Sequence, residues 1–153
     1  MNTHMLKLIA CTALAIAGNF AQADDVASVS PAQLAQERIE RQSYRALLDA
    51  VMLREGRDRA WATDVEGRIR ASLDTVRKLD VSVRDIECAT TLCRVILDHA
   101  TLSGQDQVLG ATAGMPGFDL AGRAHLEWGD DGSVVTYMYL LRFDTDWPEV
   151  LAH

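Results

Sequence analysis

The chain has 153 residues, of which 48% are hydrophobic, and its formal net charge is −7. This length and hydrophobic content suffice for one globular domain with its own core. The negative charge disfavours contact with the phosphate backbone of nucleic acids, so we expect no nucleic-acid partner.

The first 23 residues have the features of a secretory signal peptide. Lys7 precedes an apolar run at residues 8–17, and Ala21-Gln22-Ala23 is a small-x-small cleavage site. The apolar run is about half of the roughly 20 residues that a membrane-spanning helix needs, so we expect no membrane insertion after cleavage. The predicted layout is a signal peptide at 1–23, a flexible leader at 24–30 and a single domain at 31–153, located in the periplasm or secreted.

A second type of processing signal is present in the same segment. Leu8-Ile9-Ala10-Cys11 resembles a bacterial lipobox, which would attach a lipid to Cys11. A lipobox closes the apolar run, however, and most apolar residues here follow Cys11. We therefore favour cleavage after Ala23, and keep lipidation at Cys11 as an alternative that would hold the protein at a membrane surface.

Two helices are predicted at the start of the domain. Ser30-Pro31 with Gln33 is typical of a helix start with a capping box, and Gly56 is a natural stop. A second helix begins near Asp58 or Thr63. Because few residues join them, an antiparallel helical hairpin is expected. The apolar positions at helical spacing are Leu34, Ile39, Tyr44, Leu47, Leu48, Val51 and Met52, then Trp61, Val65, Ile69, Leu73, Val76 and Leu79.

The hydrophobic period then changes to that of strands. Residues 80–84 alternate, residues 95–97 are continuously apolar, and residues 88–93 form the predicted hairpin tip between them. A short helix at 103–112 is followed by a second hairpin with a turn at 129–132. The predicted fold class is therefore α+β, with two N-terminal helices packed on an antiparallel sheet of about four strands and a short helix between two hairpins. A cone-shaped sheet with the helices inside its curve is the alternative.

The last strand, residues 134–141, is apolar on both faces. Alternation places Val135, Tyr137, Tyr139 and Leu141 on one face and Val134, Thr136, Met138 and Leu140 on the other. A strand of this kind is expected at the centre of a sheet that is covered on both sides.

Two cysteines, Cys88 and Cys93, remain after removal of the predicted signal. Across a hairpin tip they are placed to form a disulfide, as expected outside the cytosol. Two alternatives stay open. A redox-active pair usually has the spacing C-x-x-C at a helix start, and a metal site would combine the pair with His99 or His125.

The stretch around these cysteines resembles a known group of sequences. Ile86-Glu87-Cys88, followed by Cys93-Arg94-Val95, is similar to a Glu-Cys-x4-Cys-Arg-Val motif of uncharacterised secreted proteins of Gram-negative bacteria, and Trp61 and Glu66 in the preceding helix are similar too. The resemblance covers residues 61–97. It implies a disulfide hairpin and an exported protein, and it implies no activity.

Candidate chemistry is sparse, and no cofactor motif is recognisable. His99 ends one strand, while His125 and Glu127 share one side of another. If these strands were neighbours, the three side chains could serve a small periplasmic hydrolase or metal-dependent enzyme. No Gly-x-Ser-x-Gly elbow and no His-x-x-x-His pair accompanies them, so we predict no catalytic, cofactor or metal residues.

Aromatic and acidic side chains concentrate near the last hairpin. Aromatic residues with a polar tip favour protein interfaces. The sequence therefore predicts an exported domain that binds another envelope or secreted protein, in an inhibitor, immunity or assembly role. The possible binding surface consists of Trp128, Asp130, Asp131, Tyr137 and Tyr139.

Overall fold

The computed structural model describes residues 30–79, 81–129 and 131–149. The predicted signal peptide, the leader up to residue 29, Cys11 and Asp130 lie outside the described residues. In the described part, no helix combines the length and apolar character needed to cross a membrane. The elements are α1 (Pro31–Glu55), α2 (Arg59–Thr75), a 3-10 turn (Arg77–Leu79), β1 (Val81–Cys88), β2 (Leu92–His99), α3 (Leu102–Thr112), β3 (Ala121–Trp128) and β4 (Val134–Leu141).

The predicted helix ends are confirmed. Ser30 caps α1 by accepting a hydrogen bond from the backbone of Gln33, whose side chain returns one to the backbone of Ser30. Helix α1 ends before Gly56, which has a φ of 72°, a value that favours glycine. Asp58 caps α2 through the backbone N–H of Trp61.

The four strands form one antiparallel sheet in the order β1-β2-β4-β3. Strand β4 is central, as its two apolar faces predict, and strands β1 and β3 form the edges. A bulge between Val83 and Asp85 interrupts the pairing of β1. The α+β class and the short helix between two hairpins are confirmed.

The two N-terminal helices lie on opposite faces of the sheet. Helix α1 packs Leu48 and Met52 against Tyr139 and Leu141. Helices α2 and α3 cover the other face, in a core cluster whose members include Val65, Ile69, Leu73, Val95, Leu97, Val108 and Leu140. The predicted helical hairpin is therefore wrong, and the cone-shaped alternative does not apply. The chain turns around the β1–β2 tip at Gly56, because both sheet faces are apolar and each needs a cover.

The loop after α3 holds that helix pair together. Gly117 has a φ of 87°, and a Cβ atom there would lie 2.8 Å from the Ile69 backbone nitrogen. Ser72 donates a hydrogen bond of 2.8 Å to the Pro116 carbonyl beside it. A residue without a side chain is needed at 117 for the loop to approach α2 this closely.

Only the C-terminal part of α1 is packed. Residues 31–43 are all exposed, including Leu34 and Ile39, which the spacing had assigned to the apolar stripe. The hydrogen bonds and packing contacts between the helix and the sheet begin at Tyr44, and the first turns of the helix are exposed.

Candidate functional site

The disulfide between Cys88 and Cys93 is present at the β1–β2 tip. The backbone N–H of Ala89 donates to the carbonyl of Leu92 at 2.8 Å. The next pair along the ladder, Cys88 and Cys93, is therefore a non-hydrogen-bonded pair, where side chains come closest in an antiparallel sheet. The bond is intramolecular and buried, which agrees with a structural role.

The edge of β1 is capped by side chains of α2 and of the loop before it. Glu66 accepts the outward N–H of Cys88 at 2.9 Å, and Arg57 donates to the Cys88 carbonyl at 2.9 Å. Arg70 donates to the Ile86 carbonyl at 3.4 Å. Arg57 also binds both carboxylate oxygens of Glu66, and this hydrogen-bonded pairing lowers the Glu66 pKa. These caps and the bulge protect β1 from pairing with another strand.

The edge of β3 is not capped in this way. The backbone N–H of Gly129 donates to Ser133 at 2.9 Å, so Gly129 faces β4. Because the direction of backbone hydrogen bonding alternates along a strand, the N–H and C=O groups of Arg123, His125 and Glu127 also point toward β4. The N–H and C=O groups that point away from the sheet belong to Gly122, Ala124, Leu126 and Trp128. We call these outward groups the open edge.

No group in residues 30–79, 81–129 or 131–149 forms a hydrogen bond to the N–H and C=O groups of the open edge. Strand β3 also has no proline and no bulge to discourage pairing. By the usual rules for edge strands, such an edge accepts an added strand readily.

These same four residues, Gly122 and the side chains of Ala124, Leu126 and Trp128, form an apolar stripe. They lie on the sheet face that α2 and α3 cover, because Gly122 and Ala124 oppose the buried Leu140 and Met138. The helices do not reach as far as β3, however, and 62% of Trp128 and 36% of Leu126 are exposed. An exposed apolar patch and an open sheet edge are both features that protein partners bind.

The structure divides the predicted binding surface. Trp128 is exposed, and Asp131 is exposed next to it in the turn, where a hydrogen bond from Ser133 lowers its pKa. Tyr137 and Tyr139 lie on the other face, beneath α1. Tyr139 is fully buried and donates to Asp49 at 2.9 Å. The assignment of Tyr139 to an exposed surface is thus wrong, because α1 covers this face of β4.

The two histidines are not brought together. Strand β4 separates β2 from β3, and the register places His99 on the α2–α3 face and His125 with Glu127 on the α1 face. The constellation that the enzyme alternative requires is therefore not formed. Within the described residues, no group of three or more potential metal-binding side chains exists either.

The two histidines have different surroundings, and in both the pKa is lowered. His99 is 2% exposed, and neither imidazole nitrogen has a hydrogen-bond partner among the described residues. Burial lowers the pKa of His99, against the opposing effect of Asp98. Burial also lowers the pKa of His125, and the positive charges of nearby arginines, first among them Arg123, act in the same direction. Both imidazoles are thus held neutral.

Helix α1 contributes contacts to β3 that sequence reasoning missed. Arg45 forms an ion pair with Glu127 and stacks on Tyr137. Arg123 donates a hydrogen bond of 2.8 Å to the hydroxyl of Tyr44. The alternation of Arg123, His125 and Glu127 did indicate a shared polar face, but the helix that covers it lies about 80 residues earlier in the chain, and no local pattern links the two.

No family model, no curated protein and no solved structure matches this chain. The candidate site is therefore defined by its own geometry, namely the open edge of β3 and the apolar stripe.

Proposed function

We propose that this chain is an exported, disulfide-bonded domain that binds another envelope or secreted protein through the apolar stripe and open edge of β3. Inhibition, immunity and assembly are the roles compatible with such binding. One contrast carries the proposal: Arg57, Glu66 and Arg70 cap the edge of β1 at Ile86 and Cys88, whereas no such cap reaches the edge of β3 among the described residues, and exposed apolar side chains border it.

Several properties of the molecule support binding over catalysis. His99 and His125 lie on opposite sheet faces, so they cannot share one substrate. The cavity beside the disulfide, of about 290 Å³, is lined by side chains already engaged with one another, such as Asp49 and Arg94. The exposed Trp128 provides the type of side chain that most often anchors a protein partner.

The test is affinity capture from the native envelope with matched variants. Trp128→Ser removes the largest member of the stripe, and Leu53→Ser makes a similar change at a residue of α1 that is 85% exposed. We expect the wild type and Leu53→Ser to retain one partner that Trp128→Ser loses, and the purified partner to reproduce this order in a binding titration. Equal binding by all three proteins would show that the stripe is not the interface.

A further inference from the structure

The path of α1 across the sheet leads toward the open edge of β3. Met52 packs with Leu92 of β2, Asp49 binds Tyr139 of β4, and Tyr44 binds Arg123 of β3. Successively earlier residues of α1 thus contact successive strands toward the open side of the sheet. The helix continues in this direction after it has crossed β3.

Residues 31–43 therefore project past the edge strand, and we call them the α1 overhang. Thirteen helical residues span about 20 Å, whereas strands in a sheet are about 4.8 Å apart. Every residue of the overhang is exposed, with Leu34 at 49% and Ile39 at 56%, and the charge of Arg41, near the end of the overhang, reaches His125 of β3. We call the space between the overhang and the open edge the cleft, and a strand added to β3 would lie in it.

The overhang turns an apolar side chain toward this cleft. Leu34 and Arg41 are fourteen and seven residues before Leu48, so all three share one side of the helix. Leu48 is fully buried against the sheet. Ile39 is nine residues before Leu48, which places it on the opposite side. Leu34 is thus 49% exposed on the side of the helix that normally covers a sheet.

We propose that the partner binds by adding an extended segment to β3 as a fifth strand, beneath the α1 overhang. This inference rests on the proposed function and specifies its mode. Main-chain hydrogen bonds to Gly122, Ala124, Leu126 and Trp128 align the segment, and pockets on its two faces select its side chains.

The two faces of the cleft require different side chains. Toward the apolar stripe, the segment presents apolar groups at every second position, because the side chains of β3 on this face, those of Ala124, Leu126 and Trp128, are uncharged. Toward α1, it meets the arginines of the overhang and of β3 (Arg38, Arg41 and Arg123) and the glutamates Glu37 and Glu40. Glu127 is already paired with Arg45. Arg41 is likewise paired with Glu37, so Arg38 and Arg123 against Glu40 leave one net positive charge on this side, which favours an acidic residue in the segment.

A second copy of the chain fits this edge less well than a free segment. Helix α1 lies over β3 at Tyr44, which contacts Arg123 and His125. Two copies paired edge to edge would place both overhangs above the same pair of strands, where their backbones compete for space. An extended segment has no helix of its own and avoids this conflict.

The binding test uses synthetic ten-residue peptides on the intact, disulfide-bonded protein. The probes alternate Val, Leu or Phe with Glu and Thr. N-methylation of the residues that pair with the edge removes their N–H donors, while N-methylation of the intervening residues does not. We expect saturable binding in fluorescence anisotropy, at least tenfold weaker for the first methylated set and little changed for the second. Absence of binding by every probe up to about 1 mM would overturn the inference.

Variants of the protein test the open edge and the overhang separately. Ala124→Pro deletes an outward N–H without touching the ladder to β4, and Ala124→Thr is its control. Leu34→Asp charges the cleft side of the overhang, and Ile39→Asp makes the same change on the far side. We expect Ala124→Pro and Leu34→Asp to weaken probe binding at least tenfold and the two controls at most twofold. Equal effects of Leu34→Asp and Ile39→Asp would overturn the role of the overhang.

Amide exchange locates the added strand directly. The N–H groups of Ala124 and Leu126 should exchange rapidly in the free protein and slow at least tenfold with probe, while those of Arg123 and His125 are protected in both states. If the wild type is a dimer and the Ala124→Pro variant is a monomer, a second copy of the chain occupies the edge, and the inference is overturned. Partner capture that depends on Trp128 but shows no amide protection would leave the proposed function standing and exclude strand addition.

Discussion

The Cys88–Cys93 bond lies where the β1–β2 hairpin brings side chains closest together. It closes a short loop, so the chain entropy that it removes from the unfolded state is limited. Side-chain hydrogen bonds also fix the backbone around the disulfide. Glu66 and Arg57 bind the backbone of Cys88, and Arg142 donates to the Thr90 carbonyl at 3.1 Å. The bond therefore reinforces a hairpin that is also held by other contacts.

Replacing Cys88 by serine should lower the free energy of unfolding by about 2 kcal/mol and leave the secondary structure intact. Chemical denaturation followed by circular dichroism measures both effects, with the Cys88→Ser/Cys93→Ser double variant as the control for a free thiol. Thiol labelling of the non-reduced wild type should find no reactive cysteine in the mature protein. Two reactive thiols would mean that the bond does not form.

The buried imidazole of His99 makes stability dependent on pH. Burial lowers its pKa below 6.5 in the folded state, so the unfolded chain binds more protons at acidic pH. The free energy of unfolding should therefore fall as the pH decreases below about 6.5, by up to about 1.4 kcal/mol per pH unit for this group.

The variant His99→Leu should reduce this loss, measured by urea denaturation between pH 7 and pH 5. His125, whose pKa is also lowered, accounts for a further part of the loss. The double variant His99→Leu/His125→Gln should therefore show the weakest dependence of the free energy of unfolding on pH. An unchanged pH dependence in His99→Leu would contradict a neutral, buried His99.

At the scale of elements, the two edge strands differ in whether side chains bind their outward backbone groups. On β1, Arg57, Glu66 and Arg70 bind outward backbone groups of Ile86 and Cys88, and the Arg57–Glu66 pair fixes the hairpin to the helix. On β3, the corresponding groups remain available. A sheet with one closed and one open edge can bind a partner on one side without polymerising through both.

The capping role of Glu66 can be tested by Glu66→Gln. The amide keeps an acceptor for the Cys88 N–H but loses the charge that binds Arg57, so we expect a loss of about 1 kcal/mol in the free energy of unfolding. Glu37→Gln, in an exposed pair with Arg41, is the matched control and should change it by less than about 0.5 kcal/mol. Equal effects in a denaturant titration would show that the cap contributes no more than a surface ion pair.

At the scale of the whole molecule, one sheet carries two cores. The cluster beneath α1 and the cluster beneath α2 and α3 share strands β2 and β4, whose side chains alternate between them. Loss of either cover exposes one face of the same central strands. The two cores should therefore unfold together.

This cooperativity predicts the result of Leu48→Ala, a truncation in the α1 core. We expect a loss of about 3 kcal/mol with a single transition, in which circular dichroism and tryptophan fluorescence coincide. Leu53→Ala makes the same chemical change at an exposed position of the same helix and should cost less than about 0.5 kcal/mol. Two separated transitions in Leu48→Ala would indicate that α1 unfolds independently.

The sequence by itself determined the local features of this protein. The capping residues Ser30 and Asp58, the change from helical to strand period, the alternation in β4 and the cysteine pair at a hairpin tip all depend on neighbours within a few residues, and all are confirmed. Such features follow from backbone geometry and side-chain spacing, which act at short range.

Only the tertiary structure decided which groups are covered and which remain open. It placed α1 and α2 on opposite faces, buried Tyr139, separated His99 from His125 and left the first turns of α1 exposed. These outcomes depend on the order of strands and on contacts such as Tyr44 with Arg123, between residues far apart in the chain. Burial is set by the elements that come together in space, so periodicity identifies an apolar face but not the element that covers it.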